Sequence, residues 1–394
     1  MKFESARYQN DIDAPATHVL IVACGDYTEG GGLGLGELGP MDSPVLSAHA
    51  LADWFMSGLD GNPNSHPPLD PEDAFYNPDA PLGSLVMLTS PMDDYQAPSG
   101  QAYQVDRPTL SNIKNAYREW LVRLKNNNSR GVFYFCGHGV GNGSSQTLLA
   151  DDIGVDDADL WENSFNLSST FDVTKRIAQA PILFLVDACF EFNTPSALQI
   201  NAPIALVGKP ANWRILSNPY LIRAAGTNER AYAEPGHITR FLESLLKSLK
   251  GHCGLQRPGH QLFDVTGQAL KDATGQFLSR TNVEGVPHAA LGETQGNGWG
   301  VSYHVFTRRP KVLVEIDVAP PVYLQTGYGF IQGHQSDREQ NLFAGNPASF
   351  KVEQGTYHYG AGTGEDPPVE KEHRDQLLLD AVYSHRIVFP GHDS

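Results

Sequence analysis

A histidine and a cysteine each stand at the end of a largely apolar run, and together these residue types can cleave an amide bond. His138 lies between two glycines after the run 132–136, and Cys189 ends the run 181–188 about fifty residues later. A thiolate attacks a carbonyl carbon, while a nearby imidazole takes up the thiol proton and passes it on. The pair therefore indicates a cysteine nucleophile served by a histidine base.

Both runs predict strands that are buried on both faces. Residues 132–136 and 182–186 are apolar without a polar interruption, as in the inner strands of parallel sheets. The carboxyl ends of such strands open onto the crevice where α/β proteins bind ligands. If the two strands are neighbours, His138 and Cys189 lie side by side at one edge of the sheet.

Strand and helix patterns alternate through residue 250. Further apolar strands are predicted at 18–23, 84–89 and 220–225, and helices at 43–58, 109–124, 171–179 and 238–250. This alternation predicts an α/β fold with a mostly parallel sheet and helices on both faces.

The pattern changes after about residue 308, where apolar and polar residues begin to alternate. In 312–318 every second residue is Val or Ile, and 350–359 reads as two short strands around a Gln-Gly turn. We therefore expect two domains, 1–308 and a small all-β module at 309–394.

The composition is that of an ordinary globular protein. The chain has 394 residues, of which 40% are hydrophobic and 19% charged, and its formal net charge is −17. An acidic balance argues against a nucleic-acid partner, because phosphates attract Lys and Arg. It is compatible with basic protein substrates or partners.

Cysteine usage and hydropathy predict a cytoplasmic protein. The four cysteines show no paired spacing, and three of them lie in or at the end of predicted buried strands, which is typical of a reduced compartment. Residues 1–10 lack the apolar core of a signal peptide. No apolar run approaches the roughly 18 residues of a membrane span, so we expect no membrane association.

Two other motifs have weaker interpretations. Gly34, Gly36 and Gly39 match the dinucleotide pattern G-x-G-x-x-G, but they lie about ten residues beyond the strand end and Pro40 follows, which favours a loop. Five aspartates in 151–159 could hold calcium, yet they lack the EF-hand spacing, and a solvated acidic loop is the simpler interpretation. We expect no cofactor and no metal site, with calcium dependence left open.

The two chemical motifs resemble those of a known family. Residues 133–139, FYFCGHG, and 183–189, LFLVDAC, are similar to the histidine and cysteine motifs of the caspase and metacaspase superfamily. Residues 19–22, 47–55 and 111–124 resemble its first strand and first two helices, and 220–246 its small-subunit strand and helix. The resemblance covers about 17–305 and implies a caspase-like fold, leaving the C-terminal module uncovered.

The resemblance implies roles for the residues of both motifs. Cys189 would be the nucleophile and His138 the general base and acid, and the backbone N–H groups of Gly139 and Cys189 would form the oxyanion hole. Backbone amides at a glycine turn can donate to a developing oxyanion. The alternative is that Cys189 is a buried structural thiol and His138 a turn histidine.

Asp187 stands where metacaspase-like members carry the aspartate that faces the residue before the scissile bond. It therefore implies a preference for Arg or Lys, whose cations pair well with a carboxylate. A structural aspartate capping a backbone turn is the alternative. The second pocket aspartate of metacaspases aligns with Ser47, so Asp42 is only a nearby candidate, and residues 190–192 also depart from the family pattern.

The predicted loop 191–218 suggests a place for self-cleavage. It contains Lys209 and Arg214, and caspase relatives often carry a cleavage linker there. Pro210 makes the bond after Lys209 a poor substrate, so the bond between Arg214 and Ile215 is the better candidate.

These observations favour a cysteine endopeptidase of bacterial caspase-like type that cuts protein or peptide substrates after Arg or Lys. The resemblance implies a role in stress, cell death or antiphage defence. One alternative is a catalytically idle scaffold that binds a regulatory protein partner through its C-terminal β module. Another is a nucleotide-binding protein that uses Gly34, Gly36 and Gly39.

Overall fold

The computed structural model describes residues 1–27, 41–57, 74–142, 145–156, 158–159, 161–189, 205–210, 214–225, 234–281, 291–292, 294–334, 336–365 and 367–389. The chain groups into two compact units, one of residues 1–250 with 264–305 and one of 251–263 with 306–394. The boundary predicted from sequence, at 308/309, assigns residues 251–263 to the first domain, whereas in the structure they group with the second unit. The glycines at 34, 36 and 39 lie outside the described residues.

In chain order the strands are β1 (Lys2–Glu4), β2 (Thr17–Cys24), β3 (Leu82–Ser90), β4 (Tyr95–Gln96), β5 (Ala102–Tyr103), β6 (Arg130–Gly137), β7 (Gly139–Asn142), β8 (Ser145–Leu149), β9 (Ser164–Asn166), β10 (Ile182–Ala188), β11 (Tyr220–Arg223), β12 (Leu255–Gln256), β13 (Phe263–Thr266), β14 (Ser302–Phe306), β15 (Lys311–Ala319), β16 (Tyr328–Gly333), β17 (Glu339–Leu342), β18 (Ala348–Glu353), β19 (Gly355–Gly362), β20 (Glu370–Leu378) and β21 (Val382–Val388). The helices are α1 (Ala6–Asn10), α2 (Ser43–Met56), α3 (Leu110–Arg123), α4 (Leu167–Thr174), α5 (Arg240–Lys247), α6 (Gly267–Arg280) and α7 (Tyr323–Thr326), and a π-helical turn, Ser248–His252, follows α5.

A six-stranded sheet in the order β1-β3-β2-β6-β10-β11 forms the centre of the first unit. Strands β3, β2, β6, β10 and β11 are parallel to their neighbours, and β1 joins the edge in the antiparallel direction. Every residue of β2 and β10 is buried, which explains the apolar runs 19–24 and 182–186 within them. The predicted mostly parallel sheet is confirmed, and β6 and β10 are neighbours.

Helices cover both faces of this sheet. On one face α3 and α4 pack against Leu20, Phe133 and Phe184, and on the other α2 lies against β2 and β3. Thr109 begins α3 by accepting the backbone N–H of Asn112 at 3.2 Å, as an N-cap residue does. The α/β arrangement predicted from sequence is therefore confirmed.

Some sequence-based expectations in the first unit are wrong. The helix predicted at 171–179 is α4, which starts earlier because Asn166 caps it by accepting the N–H of Ser169 at 2.7 Å. The acidic stretch 151–159 is not uniformly solvated, since Asp151 is buried and its carboxylate pairs with Nε of Arg107 at 2.8 Å.

The second unit is built mainly of strands, as predicted, and also contains the short helix α7. One sheet has the order β18-β15-β21 and another the order β17-β16-β19-β20. The alternating residues of β15 point into a core, where Val312, Val314, Ile316 and Val318 are fully buried. None of the helices in the part of the chain that the structure describes has the length and apolar character needed to cross a bilayer.

Candidate active site

The register of β6 and β10 brings His138 and Cys189 together. Cys136 lies opposite Asp187, and Gly137 lies opposite Ala188. His138 and Cys189 are the next residues along the two strands, and neighbouring strands are about 4.8 Å apart. The imidazole and the thiol therefore come from adjacent positions at the carboxyl edge of the sheet.

Glycines flank His138 because other chain segments come very close to its backbone. A Cβ atom at Gly139 would lie 2.6 Å from the carbonyl oxygen of Cys189, and one at Gly137 would lie 2.6 Å from the hydroxyl of Tyr27. Gly137 also has a φ of +156°. A larger residue at either position would displace the strand ends that carry the site.

Tyr27 supports His138 from the end of β2. The backbone N–H of His138 donates to the hydroxyl of Tyr27 at 2.8 Å, and the two ring centroids are 5.0 Å apart. Burial raises the pKa of Tyr27 well above its usual value, so its phenol stays neutral. The sequence does not single out Tyr27, although its place just after an apolar strand is the signal that could have found it.

Burial keeps the His138 imidazole neutral at neutral pH. It lowers the pKa of His138 from 6.5 to about 4. A neutral imidazole can accept a proton from a thiol, whereas a charged one cannot. His138 is therefore an available proton acceptor at neutral pH, with a lower basicity than an imidazole in water.

The backbone N–H of Gly139 points away from its sheet partner. The N–H of Leu149 donates to the carbonyl of His138 at 3.1 Å, and Gly139 lies opposite Leu148 in the antiparallel pair of β7 and β8. This pattern makes Gly139 and Leu148 a non-hydrogen-bonded pair, whose N–H groups point outward. Because β7 is an edge strand, the N–H of Gly139 is directed to the side where no strand of the described chain pairs with it.

Gln146 holds the backbone at the nucleophile. Its side-chain amide donates to the carbonyl of Cys189 at 3.0 Å and accepts from Nε of Arg223 at 3.2 Å. Both side chains are buried, Gln146 in β8 and Arg223 at the end of β11. Neither is identified from sequence, although a charged residue inside the apolar strand at 220–225 is a usable signal.

Asp187 is buried, and other side chains hold its carboxylate. The hydroxyl of Tyr134 donates to its Oδ2 at 3.1 Å, and the hydroxyl of Thr239 donates to the same oxygen. Among the described residues its Oδ1 has no hydrogen-bond partner. Burial raises the pKa of Asp187 from 3.8 to about 6, against the hydrogen bonds from Thr239, Tyr134 and Cys136 that lower it.

Ser47 belongs to the same network, whereas Asp42 does not contact Asp187. The hydroxyl of Ser47 accepts the backbone N–H of Thr239 at 3.1 Å and is fully buried. Asp42 is exposed and accepts the backbone N–H of Gly236 at 2.8 Å. The observed role of Asp42 is to hold the segment before α5, and its contact with substrate stays a prediction.

The bond proposed for self-cleavage lies in an exposed segment outside the helices and strands. Arg214 is exposed and Ile215 is 63% exposed. The N–H groups of Leu216 and Ser217 donate to the carbonyl of Lys175 at 2.7 and 3.1 Å, which fixes the segment just beyond that bond. Residues 191–204 and 211–213 of the predicted loop lie outside the described residues, as does residue 190, and so all of the divergent stretch 190–192 does.

The candidate active site holds no group of converging metal ligands among the residues that the structure describes. Within those residues, the side chains that converge in the manner of metal ligands lie in the second unit.

The chain is similar to known proteins over most of its length. It is 38% identical over 338 residues to an uncharacterized protein of Sinorhizobium fredii, covering 84% of this chain and 97% of that protein. Two solved structures are similar at lower identity. Caspase-1 from Spodoptera frugiperda has 9% identity and a TM-score of 0.41, over 71% of this chain and 86% of that one. A Geobacter sulfurreducens protein has 12% identity and a TM-score of 0.43, over 73% and 95%.

These TM-scores are low, and the family assignment depends on sequence. The family model described as Caspase domain matches residues 18–288, which include β2, β6, β10 and β11 and thus the whole sheet edge described above. The chain belongs to the caspase-like cysteine peptidase family.

Proposed function

We propose that this protein is a cysteine endopeptidase in which Cys189 is the nucleophile and His138 the general base and acid. The observation that carries the proposal is the register of β6 and β10, which puts the two residues at adjacent positions of one sheet edge. Membership of the caspase-like family supports the same chemistry and implies a protein substrate.

In the proposed reaction, neutral His138 takes the proton of the Cys189 thiol as the sulfur attacks the peptide carbonyl carbon. The carbonyl oxygen becomes an oxyanion and accepts the N–H groups of Gly139 and Cys189. His138 then protonates the leaving amine, the C–N bond breaks, and a thioester remains on Cys189. Water, deprotonated by His138, attacks the thioester, and the returning proton restores the thiol as the carboxylic acid leaves.

Asp187 supports a preference for Arg or Lys before the scissile bond. Its carboxylate lies two residues before Cys189, and its Oδ1 has no hydrogen-bond partner among the described residues. An incoming guanidinium or ammonium would supply the missing donors in a buried setting, where charged hydrogen bonds are strong. The alternative of a turn cap is not favoured, since the donors to Asp187 are the side chains of Tyr134, Thr239 and Cys136.

The biological setting of the proposal comes from the family resemblance. We place the protein in the cytoplasm of a bacterium, cutting a protein substrate at a basic residue during stress, cell death or antiphage defence. A net charge of −17 is compatible with such a basic substrate segment.

Turnover of peptides with a coumarin leaving group after Arg, Lys or Asp tests the proposal. We expect the wild-type protein to release coumarin after Arg or Lys, and Cys189→Ala and His138→Ala to abolish release. Cys253→Ala is the matched control, because Cys253 is a buried cysteine of the second unit. Folded wild-type protein that turns over none of these peptides would contradict the proposal and favour the idle scaffold.

Self-cleavage is tested separately by intact-mass analysis. We expect the wild-type chain to yield fragments that meet between Arg214 and Ile215, and Cys189→Ala and Arg214→Ala to remain whole. A single full-length mass for the wild type and both variants would contradict self-cleavage. It would leave the prediction of peptide turnover unaffected.

A further inference from the structure

Two histidines and an aspartate converge on one sheet of the second unit, outside the candidate active site. His334 directly follows β16, His358 lies in β19 and Asp375 lies in β20. These three strands are neighbours in the sheet, with β19 between the other two. Residues far apart in sequence thus meet on the surface of the sheet.

The distances between the three side chains suit a small metal ion. Nε2 of His334 lies 3.8 Å from Oδ1 of Asp375, and Nε2 of His358 lies 3.9 Å from the same oxygen. The ligand atoms all lie within 4.8 Å of one another. A tetrahedral ion with bonds of about 2.0–2.1 Å needs ligand atoms about 3.4 Å apart. The two histidine–carboxylate distances would have to shorten by about half an ångström, and the distance between the two histidine nitrogens by up to about 1.4 Å.

The backbone at this point is arranged to face the carboxylate toward the imidazoles. Tyr357 pairs with Gln376 and Tyr359 with His373, so residues 374 and 375 together oppose His358 in a β-bulge. Asp375 has a φ of +52°, a left-handed conformation that is rare outside glycine. Bulges of this kind redirect a side chain, here that of Asp375 toward the histidines.

The same bulge places the backbone N–H of Asp375 3.4 Å from Nδ1 of His358, a long contact that leaves Nε2 on the side of the cluster. An ion bound at Nε2 needs the imidazole proton on Nδ1. Binding of the ion therefore replaces this contact, and Nδ1–H becomes a donor, as in other metal-binding histidines. His334 and Asp375 are exposed by 61% and 70%, so an ion has open access from solvent.

We propose that His334, His358 and Asp375 bind a divalent transition-metal ion of the Zn²⁺ type. Two imidazoles and a carboxylate suit Zn²⁺ and its neighbours, whereas Ca²⁺ and Mg²⁺ require mostly oxygen ligands. The remaining coordination positions face solvent and take water. The bound ion ties β16, β19 and β20 together. The sequence alone predicts no metal, and this site does not depend on the proposed peptidase activity.

Two neighbouring histidines, His373 and His385, are close together but are not arranged as metal ligands. His373 and His385 have ring centroids 4.4 Å apart, but Nδ1 of His385 is bonded to the hydroxyl of Tyr359 at 2.6 Å and His373 stacks on the Tyr359 ring. They belong to an aromatic cluster with no carboxylate in the converging group. His373→Gln is therefore the matched control.

Titration of the metal-free full-length chain with Zn²⁺, in competition with a chromogenic chelator, tests the proposal. The Cys189→Ala background removes a possible thiolate ligand and separates the outcome from that of the peptidase assay. We expect His334→Gln, His358→Gln and Asp375→Asn each to weaken the tightest Zn²⁺ binding by at least tenfold, and His373→Gln to leave it unchanged.

Thermal unfolding provides the second readout. We expect Zn²⁺ to raise the unfolding temperature of the second unit in the parent chain and in His373→Gln, and not in Asp375→Asn. Asp375 and His334 are exposed, so these variants are expected to fold. Equal Zn²⁺ affinity in the parent and in all three ligand variants, or the absence of saturable Zn²⁺ binding, would overturn the proposal.

Discussion

Gln146 and Cys189 are joined by a hydrogen bond of 3.0 Å from a buried side-chain amide to the carbonyl oxygen of the proposed nucleophile. The other end of the same amide accepts from Arg223 at 3.2 Å, so one side chain connects β8, the end of β10 and β11. The backbone that presents the Cys189 thiol and N–H therefore depends on a residue outside both chemical motifs.

We predict that Gln146→Leu lowers kcat for peptide turnover about 10- to 100-fold with a smaller effect on KM, because misplaced reacting groups slow the chemical step. Gln146→Glu keeps an acceptor for Arg223 but has no N–H for the Cys189 carbonyl, so we expect it not to restore kcat. Steady-state kinetics with an Arg-coumarin peptide measures both parameters. Unchanged kcat in folded Gln146→Leu would show that Gln146 does not position the nucleophile.

The raised pKa of Asp187 predicts a change in substrate affinity near pH 6. Asp187 is ionised at pH 7, and it is mostly protonated at pH 5 because burial raises its pKa to about 6. His138 stays neutral down to about pH 4, so the base remains competent over this interval. We therefore expect KM for an Arg peptide to rise as pH falls from 7 to 5.

Measurement of kcat/KM between pH 4.5 and 8, in pH steps of about half a unit near pH 6, checks that the transition belongs to Asp187. In Asp187→Asn we expect weaker binding of the Arg peptide at pH 7 and no transition near pH 6. A transition that persists in Asp187→Asn would assign it to another group.

The sequence predicts that His138 and Cys189 follow neighbouring strands, because inner strands of a parallel sheet leave continuous apolar runs and their carboxyl ends meet at one edge. It does not predict the supporting residues. The sheet topology brings three residues from other segments to the histidine and cysteine motifs: Tyr27, Gln146 and Arg223. A single sequence does not reveal that topology. The helix α4 starts at Leu167 and not at the predicted residue 171, because the Asn166 cap sets its first residue and the apolar pattern used for the prediction lies further along the chain.

In the second unit, prediction from sequence fails for strands that lack an alternating pattern. β15 is easily predicted since it alternates between core and surface, whereas β20 is exposed along most of its length and gives no such pattern. His334, His358 and Asp375 converge because of a bulge and a left-handed residue, and neither can be read from residue types.

Packing between β10 and the helices predicts a large stability effect at Phe184. Its side chain is fully buried, with ring centroids 5.4 Å from those of both Phe133 and Phe171. We expect Phe184→Ala to lower the free energy of unfolding by about 3–5 kcal/mol, and Val122→Ala, whose valine is 61% exposed in α3, by about 0.5 kcal/mol or less. Urea unfolding followed by tryptophan fluorescence reports on the first unit, which contains all five tryptophans.

His18 predicts how that stability changes with pH. It is buried in β2, its Nδ1 lies 2.9 Å from the hydroxyl of Ser84, and burial lowers its pKa from 6.5 to about 3. Between these two pH values the unfolded chain binds a proton at His18 and the folded chain does not. Stability from this group is therefore complete above pH 6.5 and is lost as pH falls toward 3.

We expect His18, together with His138 whose folded pKa is about 4, to lower the free energy of unfolding by a few kcal/mol between pH 7 and 5. His18→Gln should make this dependence shallower. Asp187→Asn should make it steeper, because a carboxyl whose folded pKa is about 6, against 3.8 unfolded, binds a proton in the folded state and opposes the loss. Urea unfolding at pH 7, 6 and 5 separates the two effects, since they have opposite signs. A dependence that is unchanged in His18→Gln would mean that His18 titrates alike in the folded and unfolded chains.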